Sequence, residues 1–192
     1  WSTEHPAWTT LTVGSDILNL EDFADGLKEL YAEASRILTR DLMLDMKFNE
    51  DQWNQVVEEM SDNLRETSIG YSLFHKRCNP TLAKMQDALL RHMCSSSEIY
   101  GEFFSEEPPP EGMHLPWKEK RLQKWCEKAN AFVDCLIPLI HVLGGGPARA
   151  EELATLAILN TRTGMRNVYW MHGALMLLTT YHKSQNVIGR GR

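Results

Sequence analysis

Residues 144 to 147 read Gly-Gly-Gly-Pro. This break constrains the chain more than any other stretch. Three glycines lose too much conformational entropy to sit inside a helix, and proline lacks the amide hydrogen that a helix interior uses. Proline does suit the first position of a new helix, and glycine suits the turn before it. The spelling therefore predicts that one helix ends here and another begins. Ahead of the break, apolar residues recur at helical spacing. Beyond it, "RNVYWMHGALMLLTTYHKSQ" is rich in β-branched and aromatic residues around His172-Gly173. Glycine takes a left-handed conformation freely, and histidine tolerates one better than bulky residues do. This predicts a hairpin with strands at about 167–171 and 174–182. The expected class is mainly α with a small β-hairpin, α+β.

The remaining boundaries follow from periodicity. Residues 1–18 contain Pro6 and Gly14 and show no period, so they read as an N-terminal arm. From Asn19, Phe23, Leu27, Leu30, Tyr31, Ala34, Ile37 and Leu38 fall on one stripe, with Glu21 and Asp22 suited to a first turn. A second helix is predicted over 50–60, capped by Asn49. A long loop follows, punctuated by Gly70 and Asn79-Pro80. "TLAKMQDALLRHMC" reads as a third helix with Leu82, Met85, Leu89 and Met93 on its face, and "SEIYGEFF" as a short fourth. The proline-rich "SEEPPPEG" reads as a linker. After it, "WKEKRLQKWCEKANAFVDCLIPLIHVL" is one long helix, or two parted near Pro138. A further helix runs from the break to about Ile158. The expected organisation is an arm at 1–18, a helical unit at 19–105, a linker at 106–115 and a second unit at 116–192.

Charge sharpens that division. The 192 residues carry a net charge of −6, but unevenly. Residues 1–112 hold 9 Lys/Arg against 21 Asp/Glu, and residues 113–192 hold 11 against 5. An anionic partner is therefore expected on the C-terminal unit. No apolar run reaches the length of a membrane span, so no membrane partner is expected. The four cysteines form no Cys-x-x-Cys pair, and the seven histidines never stand at metal-ligand spacing. Reduced thiols, an intracellular setting and no metal or cofactor are expected. The first residue is Trp1 and no secretory leader is present, so a piece of a longer chain is expected.

The helix after the break carries the chemistry. With Gly146 as its cap, Arg149 falls in the first turn, where the helix dipole favours carboxylates over cations. Side chains four apart share a face, so Arg149 and Glu152 align with Leu153 and Leu156, away from Glu151 and Thr155. An inward charge set against the dipole needs a partner or a task. Read blandly, Arg149 and Glu152 are an i,i+3 pair worth ~0.3 kcal/mol, and Lys183 is a solvated strand-end charge.

Gly146, Pro147, Arg149, Glu152 and Leu153, followed by a hairpin and Lys183, resemble the start of the catalytic domain of tyrosine recombinases. That family places a glycine, an arginine and Glu-Leu in this order and takes a lysine from the hairpin that follows. The strings "PARAEEL", "RNVYWMHG", "TTYHKSQ" and "GYSLFHKRCNP" are similar, more narrowly, to the recombinase-like region of fungal mobile-element proteins and telomere-linked RecQ-type helicase proteins. The resemblance implies a helical core-binding-type unit at 19–105 and part of a catalytic domain at 116–192. It implies double-stranded DNA as partner, a nuclear setting, and strand cleavage and rejoining through a 3′-phosphotyrosine. Arg149 would clamp the phosphate, Glu152 would hold the guanidinium from behind, Lys183 would protonate the leaving 5′-oxygen, and His182 would lie beside it. Guanidinium binds two phosphate oxygens in fixed geometry, and a preorganised donor of this kind contributes about 3–4 kcal/mol. Lys120, Arg121, Lys124, Arg166, Arg190 and Arg192 are the expected DNA contacts.

The chain departs from the family at one point. The family requires a His-x-x-Arg block and then a tyrosine, yet none of the seven histidines has arginine three places on. Tyr169 and Tyr181 precede the place of that block. Three readings stay open: a recombinase-like protein that continues into further C-terminal domains and assembles as a homo-oligomer on DNA, a non-catalytic DNA-binding or interaction module of a larger helicase or mobile-element protein, and a helical protein–protein scaffold.

Overall fold

The computed structural model describes residues 9–75, 77–107, 115–144, 153–154 and 156–178. Within them the fold is mainly α with a small C-terminal hairpin, as the sequence predicts, and a second antiparallel hairpin in the N-terminal arm that it does not. The chain divides into two compact units. One comprises Trp1–Asp45 with Trp117–Gly146, the other Met46–Pro116 with Pro147–Arg192. This is not the sequential division at the proline-rich linker. The long helix that follows the linker packs on the first helix of the chain, and the C-terminal hairpin is bonded to the loop after residue 60.

The first unit opens with a hairpin where the sequence shows no period. β1 (Thr10–Val13) pairs with β2 (Asp16–Asn19), with Val13 opposite Asp16 and Gly14 at φ 64° in the turn. Both strands are short and β2 is exposed throughout, so no hydrophobic alternation marks it. α1 (Leu20–Arg36) begins at Asn19, whose side-chain oxygen accepts from the amides of Glu21 and Asp22. Of the predicted stripe, Ala34 and Ile37 are buried and Leu27 and Leu30 half-buried, whereas Phe23, Tyr31 and Leu38 face outward. The chain then widens into a π-helical segment, Ile37–Leu42. α6 (Glu119–Leu143) packs on both. Trp125 Nε1 donates to Leu42 O at 3.2 Å, and Lys128 pairs with Asp41 at 3.5 Å. α6 is one helix: Pro138 removes a single backbone donor without ending it.

The second unit begins with α2 (Glu50–Glu59), capped by Asn49 as expected. The long loop follows, with Gly70 at φ 84°. Asn79 is buried within it. Its amide donates to the carbonyls of Ser61 and Leu73, and its oxygen accepts from Ser61 N. The expected third helix is broken into α3 (Pro80–Ala83) and α4 (Ala88–Ser95), joined by tight i,i+3 turns at Met85, Gln86 and Ala88. α5 (Ser97–Phe103) follows, its cap Ser96 accepting from Ile99 N. Leu73, Val56, Met93, Phe103 and Phe104 form the buried apolar centre. β3 (Val168–Met171) and β4 (Ala174–Leu177) form the predicted hairpin on a His172-Gly173 turn. The second strand closes at Leu177, earlier than expected, and 179–182 lie outside the described residues. Residues 156–160 are not helical, so the helix after the break does not reach Ile158.

Candidate functional site

Six of the expected site residues, namely Arg149, Glu152, His182, Lys183, Arg190 and Arg192, lie outside the described residues. The other four separate into two environments.

Arg166 is not a surface contact for DNA. It is fully buried, because its side chain is used up inside the second unit. Its Nη2 meets Asp62 Oδ1 at 2.6 Å and donates to Asn63 O at 3.1 Å, while Nη1 donates to Glu66 O at 3.4 Å. The guanidinium lies 4.6 Å from the ring centres of both Tyr71 and Tyr169. Cations over aromatic faces are attracted by the ring quadrupole, more strongly once desolvated. Asp62 is equally buried and fully used. Oδ1 also accepts from the Tyr71 hydroxyl at 3.2 Å, and Oδ2 accepts from Trp170 N at 3.1 Å. Burial of Tyr71, with the Asp62 carboxylate and Cys78 nearby, pushes its phenol up to about 12.

Two buried asparagines complete this cluster. Asn160 Nδ2 donates to Glu66 O and Ser68 O, its Oδ1 accepts from Arg166 N, and its backbone bonds to Gly70 and Tyr71. Asn167 bonds Ala157 and Leu178 through both side chain and backbone. Asn160, Arg166 and Trp170 N tie the segment around β3 to the loop after α2, and Asn167 ties Ala157 to the end of the hairpin at Leu178, so the cluster is a clasp. Low dielectric makes a satisfied network strong and a half-satisfied one costly. Asp62 carries no local signature, since its partner stands 104 residues away.

Lys120, Arg121 and Lys124 lie on the first turns of α6, as the sequence expects of a basic first half. With Lys118 and Glu119 they line a shallow hollow. Lys118, Lys120 and Lys124 are exposed and Arg121 half-buried. The helix start has no side-chain cap. The Lys118 carbonyl accepts from Arg121 N and Leu122 N. A helix N-terminus carries partial positive charge and unpaired amides, so it favours an anion. Here four cations and a single carboxylate occupy that end.

No helix of the described residues is long and apolar enough to cross a membrane. No family model matches the chain, and no solved structure matches it.

Proposed function

We propose that this chain binds double-stranded DNA through backbone phosphates, as a module of the tyrosine-recombinase-like kind. The observation that carries the reading is the start of α6, where Lys118, Lys120, Arg121 and Lys124 crowd a helix end that is already positive. Phosphates accept hydrogen bonds from such cations and are favoured by the positive end of the helix dipole. In this reading Arg149 clamps a phosphate, Glu152 orients it, and Lys183 serves as general acid with His182 beside it. Arg190 and Arg192 add backbone contacts.

A second reading, a non-catalytic DNA-binding module, is favoured by the acidic balance of residues 1–112, 9 Lys/Arg against 21 Asp/Glu, since a clamp on DNA needs basic surfaces on both halves.

The test is fluorescence anisotropy on a labelled duplex over a salt series. Log affinity is expected to fall linearly with log salt, by about 0.9 per phosphate contact. Replacing Lys120 and Lys124 with glutamate is expected to weaken binding by roughly tenfold or more and to flatten the slope by about one to two contacts. Affinity indifferent to salt and to these substitutions overturns DNA binding. A covalent adduct on a nicked duplex, lost on Arg149→Ala, supports the catalytic reading; binding without an adduct supports the module.

A further inference from the structure

Residues 46–116 form an acidic stretch, with six Lys/Arg against twelve Asp/Glu. Three of those six cations, Lys47, Lys84 and Arg91, nevertheless line one groove between α2 and the α3–α4 stretch. No carboxylate lines it. Among the described residues, none of the three enters an ion pair. Arg91 Nη2 donates to the Lys84 backbone carbonyl at 2.9 Å, which holds the guanidinium beside the chain at Lys84. Glu59 accepts from the Thr81 hydroxyl and from Gln55 Nε2, and these bonds, with the Lys84 charge, hold its carboxyl below the usual range.

The lining is part apolar: Phe48, Val56 and Met85 stand beside Asn49, Gln52, Gln55 and Thr81 around a volume of about 420 Å³. Phe48 continues into an adjoining hollow lined also by Trp53, Asn54 and the carboxylate Glu50, the Phe48 and Trp53 rings 6.4 Å apart and tilted by 58°. These rings are 47% and 46% exposed, so they offer unburied aromatic surface at the mouth of a cationic groove. Exposed aromatics in a hollow, ringed by polar groups, are the usual anchors of a protein interface. A phosphate backbone has nothing to place on the apolar part of that lining. A segment with apolar side chains on one face and carboxylates on the other satisfies both features at once.

We propose that this groove docks an acidic amphipathic segment of a partner protein. Its large apolar side chains sit against Phe48, Val56 and Met85, and its carboxylates meet Lys47, Lys84 and Arg91. The site lies in a different stretch from the proposed DNA contacts and does not depend on them.

The probe is a synthetic, labelled amphipathic helix with leucine on one face and glutamate on the other, titrated with the full chain. Two control peptides carry lysine for glutamate or alanine for leucine. The glutamate peptide is expected to bind and both controls to fail. Lys84→Glu with Arg91→Glu is expected to weaken the glutamate peptide by about tenfold and to admit the lysine peptide. Phe48→Ala is expected to weaken it with the charges intact. Circular dichroism of each variant, and the milder Lys84→Gln, guard against loss of fold. Equal binding of the glutamate and lysine peptides, or indifference to the double charge reversal, overturns the proposal. So does failure of the glutamate peptide together with loss of duplex DNA binding on that reversal, which assigns the groove to nucleic acid.

Discussion

Arg166 and Asp62 meet at 2.6 Å with both side chains fully buried, although 104 residues separate them in the chain. The pair fixes the β3–β4 hairpin onto the loop after α2. It is compensated on nearly every side, by two tyrosine faces, three backbone groups and the Tyr71 hydroxyl. Arg166 Nε alone has no partner.

Breaking this pair from one side leaves a buried charge uncompensated. Arg166→Ala and Asp62→Ala are each expected to destabilise the second unit by about 3–5 kcal/mol, measured by urea unfolding followed by circular dichroism. Replacing both residues with apolar ones is not expected to restore stability. Trp170 N and the Tyr71 hydroxyl would still lack the acceptor that Asp62 provides.

Asn160 is the second fixed point. Its side chain satisfies two loop carbonyls and the Arg166 amide. Asn160→Ala strands these groups and is expected to cost about 1–3 kcal/mol. A double-mutant cycle with Arg166→Ala is expected to be non-additive, because the two residues share one network. Additive losses would mean that the two act separately.

Alkaline stability follows from Tyr71. Folding raises its phenol from 10.0 to about 12, chiefly through burial. The protein therefore favours the neutral hydroxyl, which donates to Asp62. That contribution is complete below pH 10 and is lost as pH rises towards 12. Absorbance at the phenolate band is expected to show one late-titrating tyrosine, and Tyr71→Phe is expected to remove it. The same variant is expected to lose about 1 kcal/mol at neutral pH through its two hydrogen bonds.

The β3–β4 turn demands positive φ at both central residues, 51° at His172 and 76° at Gly173. A Cβ at Gly173 would meet nothing within 4 Å, so its cost is conformational alone. Gly173→Ala is expected to lose about 1–2 kcal/mol, read from thermal unfolding. His172→Asn is expected to be neutral or stabilising, since asparagine is the favoured first residue of such a turn. His172→Val is expected to destabilise.

Much of the local structure is written in short stretches. Asn49 and the acidic turn behind it announce α2. His172-Gly173 between β-forming residues announces the hairpin, whereas the sequence around Pro138 leaves one helix or two open and the structure shows one. The α2 cap and the hairpin turn depend on backbone sterics and on neighbours within a turn or two. The tight turns that split α3 from α4 are less legible. Residues 80–95 keep an apolar face at helical spacing throughout, and packing against α2 and α5 sets where the turn tightens.

By itself, then, the sequence determined the helical class, the hairpin with its turn, two helix starts and the basic character of α6. Only the tertiary structure decided which elements belong together and what each charge does. It joined α6 to α1 across the proline-rich stretch, and it turned Arg166 from an expected DNA contact into the buried partner of Asp62. The physical reason is range. Helix caps and turns are settled by atoms a few residues apart, whereas burial of an ion pair depends on two segments that approach only when the chain is folded.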